Sequence, residues 1–247
     1  MSFPLEPLPR IACFHGGGST ASIFKVQCEQ LQKLLSGSYE LVFFDAPYER
    51  DAGPGVLPAF SYEQYGPYRT WFTRSQDDKE RGDGRNAEGR GEGGVERVLR
   101  LISETGGEGE WIGVMGFSQG TRVAGGVLLD QQRRREMGLP EADGELNFRF
   151  GIMCMGGAAP MVSDIVHASY SDSLINIPTL HLHGTKDINY QNGKKMWKTH
   201  YEANSTTVWD IDYHHAMPWY RADVIKFVDL IRKLDRDSVV KDETRIA

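Results

Sequence analysis

Cysteine is scarce in this chain: Cys13, Cys28 and Cys154 are the only ones in 247 residues. Three is too few, and odd in number, for a disulfide framework. Cys13 and Cys154 lie inside apolar runs, where a thiol acts as a small hydrophobe in a reducing compartment. No apolar run approaches the ~20 residues a membrane helix needs, and the opening MSFPLEPLPR lacks the unbroken apolar stretch of a secretory signal. The expectation is a cytoplasmic protein with no membrane partner. An excess of positive charge is also missing: 28 Lys and Arg stand against 34 Asp and Glu, a formal charge of −6. With the two signs interspersed, no nucleic-acid partner is expected. The run GGGST has neither the spacing nor the lysine of a phosphate-binding P-loop. His181 and His183 share a strand face, but no Cys, Asp or Glu at ligand spacing joins them, so they read as satisfied core histidines. Neither a metal nor a cofactor is implied.

What the chain does have is enough apolar residue, 40% of the total, for one substantial core. Short β-branched and aromatic runs recur at Arg10–His15, Glu40–Phe44, Trp111–Phe117, Phe148–Met155, Thr179–His183 and Thr206–Ile211. Stretches with helical spacing separate them, at Ile23–Leu35, Val95–Ser103, Gln119–Gln132, Gly193–Tyr201 and Trp219–Leu234. Near-continuous apolar strands alternating with helices predict a single α/β domain over 1–247, with an ordered core over about 9–234. Its sheet is mostly parallel, of about six strands with helices on both faces, and ligands bind beyond the strands' carboxyl ends. Two segments fall outside this pattern. Residues 75–94, SQDDKERGDGRNAEGRGEGG, offer almost nothing to bury and predict a mobile charged loop; residues 235–247 read as a frayed charged tail.

The strongest local signal is Gly116-Phe117-Ser118-Gln119-Gly120, a G-x-S-x-G between the strand WIGVMGF and the helix TRVAGGVLL. A serine on a sharp strand-to-helix turn is held in a strained backbone conformation with its hydroxyl clear of the sheet, at a helix N-terminus that favours negative charge. A serine hydroxyl needs a base. In this architecture an acid and then a histidine follow, each at a later strand end. Asp187 comes after TLHLH and a tight turn; His214 and His215 come after TTVWDI. The expected triad is Ser118, Asp187 and His215, with His214 the alternative base. Asp187 could instead serve its own turn, as Asp often does, and Asp210 and Asp212 are rival orienters.

An oxyanion needs backbone donors fixed in advance. Gln119 N–H, directly after the nucleophile, is one candidate. The other is Gly17, with Gly18 behind it, in His15-Gly16-Gly17-Gly18, a run like the HGGG loop of esterases; His15 reads as a brace. The irregular excursion 46–72 is rich in aromatics that either pack the loop down or wall a substrate pocket. Phe60, Tyr65 and Trp71 are the wall candidates.

Taken together, RIACFHGGGS, LVFFDAPYE followed by GPG, YRTWF, GFSQGTRVA, HLHGTKD and a late HxxP resemble the FSH-type serine hydrolases of fungi, over roughly 9–234. That family includes polyketide-releasing thioesterases and esterases. The resemblance implies an α/β-hydrolase without a large lid domain. It carries the nucleophile to Ser118, the acid to Asp187 and the base to His215, with Pro218 three residues on. The chain departs from the family in having Tyr213-His214 where Gly-Gly is common, and in the length of the 75–94 insertion. The expected activity is hydrolysis of a small-molecule ester or acyl thioester with a lipophilic, polyketide-type acyl group, one form being a carrier-protein-bound acyl chain in fungal secondary metabolism. Two other readings stand beside it: an acyltransferase on the same triad, and a catalytically silent lipophile-binding carrier.

Overall fold

The computed structural model describes residues 6–75, 79–142, 146–165 and 174–246. Six strands, β1 (Arg10–Phe14), β2 (Glu40–Phe44), β5 (Trp111–Phe117), β6 (Phe150–Cys154), β7 (Thr179–Gly184) and β8 (Thr206–Ile211), form one sheet in the order β2-β1-β5-β6-β7-β8. Every pairing within it is parallel. Parallel neighbours require crossovers, and seven helices among the described residues supply most of them: α1 (Ala21–Gln27), α2 (Glu29–Leu35), α3 (Tyr62–Tyr65), α4 (Gly94–Glu104), α5 (Gly120–Met137), α6 (Tyr190–His200) and α7 (Arg221–Ile246). The two remaining strands, β3 (Tyr48–Glu49) and β4 (Arg69–Thr70), pair as an antiparallel ribbon apart from the sheet.

Strand alternation distributes the core between two faces. Ile11 and Cys13 of β1 join Phe24, Leu31 and Leu35 of α1 and α2, and Val224, Phe227 and Ile231 of α7. Ala12 and Phe14, the residues between and beside them, join Val98 and Ile102 of α4, Val123 and Val127 of α5, and Met196 of α6. The central strands β1, β5 and β6 are therefore sandwiched and buried along their whole length, which is why their sequences read as near-continuous apolar runs.

The structure departs from expectation in three places. The helix expected over Ile23–Leu35 is two, interrupted at Cys28 (φ −96°, ψ 8°). The tail expected to fray continues α7 to Ile246, with Ser238 buried, Asp235 bonded to Tyr39 and Arg149, and Lys233 paired with Asp237 one turn on. The charged segment is tied down through 79–94, whereas 76–78 lie outside the described residues. Val162 N–H donates to Gly82 O (2.9 Å), Gly94 N–H to Asp83 O (2.7 Å) and Tyr48 OH to Gly84 O (3.0 Å), and Arg85 pairs with Asp164. Backbone hydrogen bonds and ion pairs do there what apolar burial does elsewhere. Among the described residues no helix is long and apolar enough to cross a membrane.

Candidate active site

Ser118 follows the last residue of β5 with φ +52°, in the left-handed region that L residues avoid. Two glycines permit the turn. A Cβ on Gly116 would lie 2.2 Å from Gly120 O, and one on Gly120 would lie 2.1 Å from Phe14 O. Any larger side chain at either position would push the turn off β1 or off α5. The turn is held by Ser118 N–H donating to Cys154 O (2.8 Å) and by Thr121 Oγ1 donating to Ser118 O (2.7 Å).

Asp187 lies three residues beyond β7 and His215 four beyond β8, so the strand order carries both to the side of β5 where Ser118 stands. His215 Nδ1–H donates to Asp187 Oδ2 at 2.6 Å. That bond leaves Nε2 with its lone pair. The imidazole centroid is 5.0 Å from the ring of Phe117, the residue before the serine. Asp187 is buried, and its other oxygen accepts from Asn189 N–H at 2.8 Å. It thus serves its own turn and the histidine at once, one oxygen for each. His214 is exposed, with Nδ1 3.1 Å from Lys186 O. Asp210 is engaged by Tyr190 and Lys194, and Asp212 by Lys186. The bulk of Tyr213 is used at the start of α7: its hydroxyl accepts from Trp219 and Tyr220 N–H (3.3 and 3.1 Å) and donates to Asp223 (2.9 Å).

The glycine loop after β1 lies against the serine turn. A Cβ on Gly16 would come within 3.2 Å of Ser118 Cβ, and one on Gly17 within 3.1 Å of the Gln119 amide. Gly18 N–H donates to Arg69 O (2.7 Å), so it is not available to an oxyanion. The N–H groups of Gly17 and Gln119 donate to no group among the described residues. His15 is buried and doubly bonded: Nδ1–H donates to Gly16 O (2.7 Å) and Nε2 accepts from Ala46 N–H (3.0 Å). Burial lowers its pKa to about 4, so near neutrality it is an uncharged brace.

A cavity of about 430 Å³ opens over the serine, lined by Ser118 and Gln119 together with Gly17, Arg50, Pro54, Glu80, Arg122, Met155, Gly157, Ala158, Asn189 and Asn192. Its wall is mixed, with Arg50, Glu80, Arg122, Asn189 and Asn192 beside Pro54, Met155 and Ala158. The aromatics expected there are elsewhere. Trp71 is buried, donating Nε1–H to His15 O (2.8 Å), and Phe60 and Tyr65 stack edge-to-face (5.1 Å) in a satellite cluster with Ile23, Val56 and Tyr68. All three pack the excursion onto the body. A second cavity, about 690 Å³, adjoins the first through Arg50 and Glu80 and has Tyr48, Tyr62 and Phe72 on its wall.

Sequence reasoning missed Glu80, Arg122, Arg50 and the two asparagines. Gln119 Oε1 accepts from Thr70 Oγ1 and Trp71 N–H (both 3.0 Å), and its Nε2 donates to Glu80 (2.8 Å). Arg122 donates to the other Glu80 oxygen (2.6 Å) and to Ala159 O (2.9 Å), and lies 3.8 Å above the Phe72 ring. Burial lowers the Arg122 pKa, and Glu80 opposes that shift. The one sequence hint was that Arg122 stands a helical turn beyond the serine; nothing in the charged loop marks Glu80. His181 and His183 are buried on β7, and of their ring nitrogens only His181 Nε2 has a hydrogen-bond partner among the described residues, Thr179 Oγ1 (3.2 Å), so the satisfied state expected of them is not met. No group of three metal-ligating side chains occurs among the described residues.

A serine turn on a parallel sheet, with an acid and an imidazole delivered from later strand ends, defines the α/β-hydrolase class, and comparison with known proteins narrows it. The family model for serine hydrolase (FSH1) matches residues 5–227, and the chain belongs to that family. It is 32% identical to esterase claE of Penicillium crustosum, with 94% of this chain and 95% of that protein aligned. It is 33% identical to esterase citA of Monascus ruber, with 92% of each aligned. Among solved structures it resembles acyl-protein thioesterase 2 of Zea mays (TM-score 0.56, 16% identity, 93% and 94% covered). A carboxylesterase of Mesorhizobium loti gives a TM-score of 0.53 at 12% identity, covering 91% and 88%. At such identities the structural likeness speaks for the fold.

Proposed function

We propose that this protein hydrolyses a carboxylic ester or thioester through an acyl-enzyme on Ser118. The observation that carries this reading is the 2.6 Å Asp187–His215 bond set beside a serine held at φ +52°. With Nδ1 committed to Asp187, His215 Nε2 takes the proton as Ser118 Oγ attacks the carbonyl, then returns it to the leaving alcohol or thiol. The N–H groups of Gly17 and Gln119 receive the oxyanion. Water, activated by the same imidazole, frees the acid and restores the serine.

A silent carrier has no use for a strained serine, since strain persists only where the surroundings maintain it. Hydrolysis is favoured over acyl transfer by the charged and amide groups of Arg50, Glu80, Arg122, Asn189 and Asn192 around Ser118, which keep water beside the serine. The lipophilic, polyketide-type acyl portion that the family resemblance implies finds its aromatic surface in the adjoining cavity, at Tyr48, Tyr62 and Phe72. A carrier-bound thioester in fungal secondary metabolism fits this reading. So does a cytoplasmic site, where three buried free thiols stay reduced.

A fluorophosphonate probe tests the proposal. We expect labelling at Ser118, lost in Ser118→Ala together with p-nitrophenyl ester turnover, with kcat falling on the order of 10⁴-fold or more. A folded Ser118→Ala variant with normal turnover would overturn it.

A further inference from the structure

The charges around the serine do not cancel. Three charged side chains line its cavity, Arg50, Glu80 and Arg122. Glu80 is fully committed, one oxygen to Gln119 and the other to Arg122, so those two ions neutralise each other. Arg50 is not. Its backbone N–H donates to Tyr68 O (2.9 Å), but its guanidinium makes no hydrogen bond or ion pair among the described residues. Glu49 and Asp51 flank it in sequence yet line only the adjoining cavity. The space beside Ser118 therefore holds one uncompensated cation.

That cation stands on a fixed platform. Gly53 N–H donates to Gly18 O (2.8 Å), and a Cβ on Gly18 would meet Gly53 N at 2.2 Å and Asp51 O at 2.7 Å. The segment after β3 is thus seated directly on the glycine loop. Asn189 and Asn192 line the same cavity, and neither side-chain amide has a partner among the described residues. They follow β7, whereas the Arg50 platform rests on the loop after β1, so the strand order puts them on opposite sides of Ser118. An uncommitted guanidinium with two amides across the nucleophile suits an oxygen-rich substrate carrying negative charge, since a planar guanidinium binds a carboxylate through two parallel N–H bonds.

We propose that Arg50 selects esters or thioesters bearing an anionic oxygen group, a carboxylate or its equivalent, held beside the scissile bond in the cavity over Ser118. This rests on the hydrolase reading above and narrows its substrate class. The anion can belong to the acyl part or to the leaving group.

The test compares three substrates: p-nitrophenyl butyrate, p-nitrophenyl hydrogen glutarate with its charge on the acyl chain, and the butyryl ester of a carboxylated p-nitrophenol with its charge on the leaving group. In Arg50→Gln, kcat/KM for one charged ester should fall relative to the neutral one on the order of 30-fold, chiefly through KM, and Arg50→Lys should recover part of the loss. Whichever charged ester responds identifies the half of the substrate that carries the anion. An equal change for all three, or none, overturns the proposal. If the wild type turns over no ester, the hydrolase reading fails, and calorimetric binding of monomethyl glutarate still decides this one: binding that Arg50→Gln abolishes supports it, and no binding or unaltered binding overturns it.

Discussion

Two regions meet at Ser118 and reach it by different physical routes. Asp187 and His215, the proposed acid and base, stand on short turns beyond β7 and β8, strands anchored in the core by Leu180, Leu182, Trp209 and Ile211. Their positions follow from strand order and a few residues of turn. The opposite wall runs from the glycine loop through β3 and β4 to Glu80, and is assembled from hydrogen bonds between residues far apart in sequence. Gln119 alone binds Thr70, Trp71 and Glu80, and Trp71 reaches back to His15. The first region borrows its rigidity from the sheet, whereas the second has to supply its own. Substitutions in the first should therefore abolish chemistry without loosening the fold, and substitutions in the second should degrade both moderately.

The largest contrast is expected within the first region. Asp187→Asn keeps the volume but offers His215 the wrong partner, favouring the tautomer that cannot act as base. We expect kcat to fall by about 10⁴-fold, measured with a p-nitrophenyl ester, with little change in melting temperature. His214→Ala removes an exposed ring bonded only to Lys186 O, and should stay within about threefold of wild type, as surface substitutions usually do. A severe loss in His214→Ala with an active His215→Ala would reverse the assignment of the base.

The same division explains what was legible in the sequence. The six strands and the placing of Ser118, Asp187 and His215 just beyond strand ends could be read because each depends on local pattern: apolar periodicity, the glycines of the elbow, and turns at strand ends. The wall could not. Phe60, Tyr65 and Trp71 were visible as aromatics, but whether an aromatic faces a cavity or a core depends on where a 27-residue excursion folds back, and no periodicity encodes that. Glu80 sits in a run of charges that reads as solvated surface, and only the tertiary position of Arg122 and Gln119 makes it a structural partner. Tyr213, a departure from the family pattern, proved to cap a helix, a role set by residues up to ten positions further on.

A middle-sized effect should come from the link between the regions. Glu80→Ala removes one of the three partners of the Gln119 side chain and leaves the partly buried Arg122 guanidinium without its carboxylate. With the Gln119 N–H as the proposed oxyanion donor, kcat should fall about 10-fold with a smaller change in KM, since a donor out of line costs less than a donor removed. Circular dichroism and melting temperature would separate this from unfolding. An unaltered kcat would mean that the wall does not control the oxyanion site, and the two regions would then be independent.

The smallest effect is on stability, and it asks which region fails first in acid. Burial lowers the His15 pKa from 6.5 to about 4, and that of His183 on β7 likewise to about 4. The unfolded chain thus takes up a proton on each near pH 6.5 that the folded chain refuses until near pH 4. The unfolded state binds more protons throughout that window, so stability rises with pH across it and is lost on acidification. For His15 the shift corresponds to about 3 kcal/mol over the full window. Denaturant melts at intervals between those limits should show the loss. In His15→Gln, which cannot take up that proton, the slope should flatten by roughly the share of one histidine. An unchanged slope would assign the acid sensitivity to His183 and its neighbour His181 beneath the triad, making the sheet side, not the hydrogen-bonded wall, the first to yield.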